Sequence, residues 1–201
     1  GLIGHWKLEE TSGNFIDSSG NGNDGTALNT FNYATSGAVG KAAGFNAALD
    51  PSIDFGDDPA FDFSSTNAFT FAAWVYPEGS VGGALFSRGQ YNTGASSQVF
   101  AFGRYVTTTS RWFVEISDGT STPTIVSSPG TVSEGEWQHM VLTWDGADLI
   151  LYKNSSVLNT VNSPGFTLWN PGSSVFRETA IGSQGRDNTC LLYTSPSPRD
   201  V

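Results

Sequence analysis

The chain has 201 residues, of which 38% are hydrophobic, 13% aromatic and only 14% charged. That balance excludes a disordered chain and is long enough to bury a core. A formal charge of −10 works against nucleic-acid or anionic-membrane partners, and no 18-residue apolar run is available to span a bilayer.

In chain order, strand-like segments are read at Leu2–Leu8, Ala43–Phe45 and Ile53–Phe55. Next comes Phe69–Tyr76, in which Phe69, Phe71, Ala73 and Val75 share one face and Thr70, Ala72, Trp74 and Tyr76 the other. Both faces are largely apolar, which predicts a central strand covered on both sides, and Pro77 ends it. Ala84–Arg88, Gln98–Arg104, Trp112–Ser117 and Thr124–Ser127 follow. Gln138–Asp145 and Asp148–Lys153 flank Asp145-Gly146 and predict a hairpin. Ser156–Thr160 and Glu178–Ser183 complete the set. Many short strands, turn dipeptides such as Asp118-Gly119, and no helical period predict an all-β, antiparallel two-sheet sandwich in one domain.

Several segments resemble the laminin-G-like family of concanavalin A-like jelly rolls. They are Gly1–Gly13, Asp17–Gly25, Phe69–Val75, Glu136–Gly146, Leu151–Asn154 and Ala180–Ser183, in the family's order over residues 1 to about 186. The resemblance implies a concanavalin A-like jelly roll. It also implies a structural Ca²⁺ in the Asp17–Gly25 loop, with Asp17, Asn21 and Asn23 as ligands. Asp, Asn and turned-in carbonyls do offer the hard oxygens that calcium takes, about six to eight of them. The competing reading is an Asx-rich turn that satisfies its own backbone.

The family closes with a further strand. Here the chain runs Cys190-Leu191-Leu192-Tyr193-Thr194-Ser195-Pro196-Ser197-Pro198-Arg199-Asp200, which resembles a translated sequencing adapter. Residues 1–188 are therefore read as the jelly-roll domain lacking its C-terminal strand, and 189–201 as a non-native tail. A missing strand predicts an open ladder edge.

Retaining glycosidases hold two carboxylates about 5–5.5 Å apart. Glu134-Gly135-Glu136, Glu115 with Asp118, and Asp57-Asp58 are the candidate groupings, and solvated turns fit each better. His5 and His139 are the only histidines, too few and too far apart for a zinc cluster. Aromatic rings stack on sugars, so Trp112, Trp169 and Tyr91 are candidate platforms, with Arg88 and Arg104 as hydrogen-bond donors. Asn154-Ser155-Ser156 fits a glycosylation sequon, with a plain hairpin turn as the preferred reading. The expected function is a non-catalytic carbohydrate-binding or adhesion module of a larger secreted bacterial protein, meeting a glycan or a cell-surface protein. The alternatives are a protein-binding or spacer domain, and a divergent glycoside hydrolase.

Overall fold

The computed structural model of the chain describes residues 1–46, 48–64, 68–79, 82–89, 98–105, 110–121, 124–163, 165–169, 178–182 and 193–195. Among these the chain forms fourteen strands. The first five are β1 (Thr26–Leu28), β2 (Asn32–Ser36), β3 (Lys41–Gly44), β4 (Ser52–Asp54) and β5 (Phe69–Tyr76). β6 (Gly83–Gly89), β7 (Gln98–Tyr105), β8 (Arg111–Ile116) and β9 (Thr124–Val126) follow. β10 (Gln138–Trp144), β11 (Asp148–Lys153), β12 (Ser156–Asn162), β13 (Thr179–Ile181) and β14 (Tyr193–Ser195) complete them.

They make two seven-stranded sheets. One runs β1-β4-β13-β6-β7-β8-β9 and the other β12-β11-β10-β5-β14-β3-β2. Every strand pair is antiparallel. Most predicted strands are present within two or three residues of their expected ends. Phe69–Tyr76 and Asp148–Lys153 match the prediction at both ends.

The core lies where the inner faces meet. On β10, Met140, Leu142 and Trp144 are buried while His139, Val141 and Thr143 between them are half-exposed, the alternation that a strand with one dry face requires. Phe69 and Phe71 of β5 point inward as expected. The Phe71 ring stacks on Phe86 of the opposite sheet at 4.7 Å, and Phe69 meets Phe100 at 5.4 Å. Full burial of a phenylalanine side chain contributes roughly 1.5–3 kcal/mol; Phe86 and Phe100 are buried and Phe69 and Phe71 partly so, and this seam joins the two sheets.

Two expectations are corrected. Leu2–Leu8 is not a ladder strand, since a single bridge, Trp6 to Asp17, is its only strand-like pairing among the described residues. The short strands β1 and β2 were not foreseen, because their composition is polar and mixed. The second sheet also takes in a short strand from the C-terminal part of the chain. Tyr193–Ser195, inside the adapter-like run, pairs with Trp74–Tyr76 of β5 on one side and, through Thr194, with Ala43 of β3 on the other.

Candidate functional site

The Asp17–Gly25 loop folds into a hydrogen-bonded clasp on the N-terminal segment. Asp17 is 7% exposed, and its carboxylate accepts four donors. Oδ1 takes the His5 N–H and the Ser19 N–H, both at 2.8 Å. Oδ2 takes the Ser19 hydroxyl at 2.7 Å and the Asn23 N–H at 3.0 Å. Burial pushes the Asp17 carboxyl up, but these four hydrogen bonds outweigh it and hold the group below the usual carboxylate value. The Asn21 amide donates to the Leu2 carbonyl at 2.7 Å and that of Asn23 to the Ile3 carbonyl at 2.8 Å. The Trp6 indole N–H donates to the Asn23 carbonyl at 2.7 Å, and its ring packs 4.5 Å from Phe55. The Leu2 and Ile3 carbonyls therefore go to loop side chains instead of to a sheet neighbour.

This arrangement does not fit a calcium cage. Both Asp17 oxygens already face donor hydrogens, and the Asn21 and Asn23 amides donate to the Leu2 and Ile3 carbonyls. Among the described residues no group of three or more His, Cys, Asp or Glu could hold a metal ion. The geometry is that of the self-satisfying Asx turn.

Among the described residues, those expected as a sugar platform do not form one exposed surface. Trp112 is 0% exposed and packs against Phe102 inside the sandwich, so it offers no ring to a ligand. Arg88 and Arg104 are 2% and 1% exposed. Both lie on the inner face, at opposite ends of the β6–β7 pair, because Arg88 stands opposite Phe100 and Arg104 opposite Trp112. Arg88 donates to the Thr179 hydroxyl at 2.6 Å and to Asp57 at 3.1 Å. Arg104 donates to Glu134, to the Gly79 carbonyl at 2.8 Å and to Ser110 at 3.1 Å. Burial pulls the Arg104 guanidinium below its usual range, and Glu134 opposes this. Trp169 is half-buried. Its backbone N–H donates to the Ser117 carbonyl at 2.8 Å, and its indole roofs Gly119. A Cβ on Gly119 would come within 2.8 Å of that ring, and φ is +88°, so the Asp118-Gly119 turn requires glycine twice over. Tyr91 lies outside the described residues.

Four of the candidate catalytic carboxylates have structural tasks. Glu134 pairs with Arg104 and Asp57 with Arg88. Glu115 accepts from the Tyr105 hydroxyl at 2.8 Å. Asp118 caps its own turn through Thr120 and Ser121, which holds its carboxyl far below the usual range. The sequon Asn154-Ser155 forms the β11–β12 turn, with φ of 49° and 67°, and the Asn154 Oδ1 accepts the His139 N–H at 2.8 Å.

A different aromatic surface does emerge, on the outer face of the second sheet. Register sets Trp74 opposite His139, with ring centroids 5.2 Å apart. Tyr76 meets Trp137 at 5.3 Å. The next row across the strands is Ala72, Val141, Tyr152 and Val157, and the next again is Thr70, Thr143, Ile150 and Thr160. Trp74, Tyr76, Trp137, His139 and Tyr152 are all half-exposed, and Val157 is 60% exposed. The turn that carries Trp137 is pinned from below. Arg104 holds Glu134, Lys153 Nζ donates to the Thr131 carbonyl and the Ser133 hydroxyl at 2.8 Å each, and Gln138 brackets the Ser133 backbone. Sequence reading missed this face because its rings come from three strands. The outward positions of Phe69–Tyr76 were the available signal.

Comparison with solved structures agrees with the fold. The binding domain of Paraclostridial Mosquitocidal Protein 1 aligns at TM-score 0.68 and 15% identity over 97% of this chain. This chain spans about half of that one, 47%. Domain 4 of AbnA, an extracellular GH43 arabinanase from Geobacillus stearothermophilus solved with arabinotriose, aligns at 0.59 and 17% identity over 98% of this chain and 92% of its own. The Ruminococcus gnavus IT-sialidase CBM40 bound to α2,3-sialyllactose aligns at 0.51 and 15% identity over 69% of this chain and 75% of its own. No curated protein matches the sequence. A laminin-G family model described as the concanavalin A-like lectin/glucanases superfamily matches residues 50–190. With the two packed antiparallel sheets, that match makes this chain a member of the concanavalin A-like lectin/glucanase superfamily.

Proposed function

We propose that the chain is a non-catalytic carbohydrate-binding module of a larger secreted protein, and that its ligand lies on the outer face of the second sheet. The observation that carries this is the row Tyr76, Trp137, Trp74, His139 and Tyr152, five rings held half-exposed on one rigid face. Sugar rings present C–H groups that pack on such faces, while their hydroxyls need polar neighbours. Thr70, Thr143, Asn154 and Glu136 supply those nearby. The pinned turn under Trp137 means that little side-chain freedom is lost on binding. The net charge of −10 favours a neutral oligosaccharide over a polyanion. Two structural relatives solved with oligosaccharides support the reading, as do the structural tasks of Glu134, Glu115, Asp57 and Asp118. Among the described residues no helix is long and apolar enough to cross a membrane.

A glycan array followed by tryptophan-fluorescence titration tests the proposal. A neutral oligosaccharide binds, and Trp137→Ala or Tyr152→Ala weakens it at least about tenfold with Tm unchanged. No glycan binding, with capture of a cell-surface protein through the same two residues, supports the second reading. That reading rests on Val157, which extends the face as exposed apolar surface.

A further inference from the structure

Asn21 is the only asparagine of the chain that a glycine follows. It lies in the clasp, exposed to water, and its side-chain amide donates to the Leu2 carbonyl at 2.7 Å and to the Ile3 carbonyl at 3.1 Å. Gly22 has a φ of +81°, and no heavy atom lies within 4 Å of where a Cβ would stand. Among the described residues its N–H donates to no acceptor. A side-chain carbonyl carbon and an unencumbered backbone nitrogen are therefore neighbours in a wet loop.

Glycine matters here because it lacks a Cβ. Its nitrogen can approach the Asn21 Cγ with no side chain in the way, and its backbone turns freely enough to bring it there. Every other asparagine precedes a residue with a side chain, as in Asn154-Ser155 and Asn159-Thr160, and in Asn170-Pro171 the nitrogen has no hydrogen to lose. The clasp opposes the approach at Asn21. To react, the amide must leave the Leu2 and Ile3 carbonyls, so the step runs through the locally opened loop.

We propose that Asn21 is a self-modification site, at which the chain deamidates and thereby loosens its own clasp. The Gly22 nitrogen gives its proton to water or hydroxide and bonds to the Asn21 Cγ. The Cγ–Nδ2 bond breaks, and the amide nitrogen takes up a proton and leaves as ammonia. Water then opens the five-membered imide at either carbonyl, leaving aspartate or isoaspartate. The product cannot remake the old contacts. A carboxylate is acceptor-only, and it would face the Leu2 and Ile3 carbonyl oxygens to which the amide had donated. Isoaspartate also lengthens the loop backbone by one carbon. The segment that is loosened carries Ile3 and Trp6, both packed against the core.

The test incubates the full folded chain in mildly alkaline buffer and follows each asparagine by peptide mapping with mass spectrometry, with enzymatic methylation to count isoaspartate. Asn21 converts before any other asparagine. Asp17→Asn, which weakens the clasp, speeds that conversion at least about tenfold, because the loop is open more often. Ser19→Ala removes only the hydroxyl that donates to Asp17, and gives the same comparison, at least about threefold, in a variant that keeps its fold. Asn21→Asp stands in for the product: its His5 amide exchanges faster than in wild type, and its Tm falls by at least about 2 °C. Earlier conversion at another asparagine, an Asn21 rate unchanged in both clasp variants, or wild-type Tm and His5 exchange in Asn21→Asp would each overturn the proposal.

Discussion

Replacing Asp17 by asparagine keeps its size and removes one acceptor oxygen. In the wild type each carboxylate oxygen receives two donors, among them the His5, Ser19 and Asn23 N–H groups. With asparagine, one pair of donors faces an NH₂ group instead. Hydrogen bonds to a charged acceptor contribute about 1.5–3 kcal/mol each, and a stranded buried donor costs about 1–3 kcal/mol. Ser19 and Asn23 are only half-buried, so water replaces part of the loss. The expected cost is about 3 kcal/mol, or a fall in Tm of about 6–12 °C at 2–4 °C per kcal/mol for a domain of this size. The pH dependence gives an internal check. Because hydrogen bonding lowers the folded pKa of Asp17, its contribution is fully present above the unfolded value, near pH 4, and is lost as pH falls through the folded value. Urea unfolding of wild type and Asp17→Asn from pH 7 to pH 2.5, followed by circular dichroism, should show a constant gap down to about pH 4 that narrows below it. A gap under 1 kcal/mol at pH 7, or one that persists undiminished at pH 2.5, would refute the clasp.

The same donor geometry predicts that the loop holds without metal, so millimolar EDTA leaves Tm within 1 °C of the untreated value. A drop reversed by added Ca²⁺ would show that its carbonyls turn inward after all. Ser155 sits at a φ of 67°, and Ser155→Gly, which makes the favoured Asn-Gly hairpin turn, should stabilise the chain by about 0.5–1 kcal/mol in urea titration. Glu134→Ala strands the Arg104 guanidinium at the end of the core and should cost about 2–3 kcal/mol, tempered by the half-exposed position of Glu134. Adding Arg104→Met to that variant should recover at least half of the loss. A double variant no better than the single one would mean that Arg104 contributes by packing and by its bonds to Gly79 and Ser110 instead.

The amino-acid order alone determined the strands whose faces differ in polarity or end on turn residues. Phe69–Tyr76 stops at Pro77, and Met140–Trp144 and Leu149–Tyr152 alternate around Asp145-Gly146, so their periods and ends are local properties. The Asp17–Gly25 loop was also legible as a dense Asx turn, but its occupant was not, because metal ligation and backbone capping draw on the same residue types.

Tertiary structure decided which face points in. Trp112 and Arg104 share an alternation in which both sides are largely apolar, so period two cannot say whether they meet solvent or the opposite sheet. Packing put both inside, with Glu134 brought from 30 residues away to pair the guanidinium. The aromatic row is likewise a product of register. Trp74, His139 and Tyr152 lie on three strands, and only the pairing of β5, β10 and β11 makes them neighbours. Cross-strand contact depends on which residues stand opposite one another, and that is a property of the assembled sheet, not of any one segment.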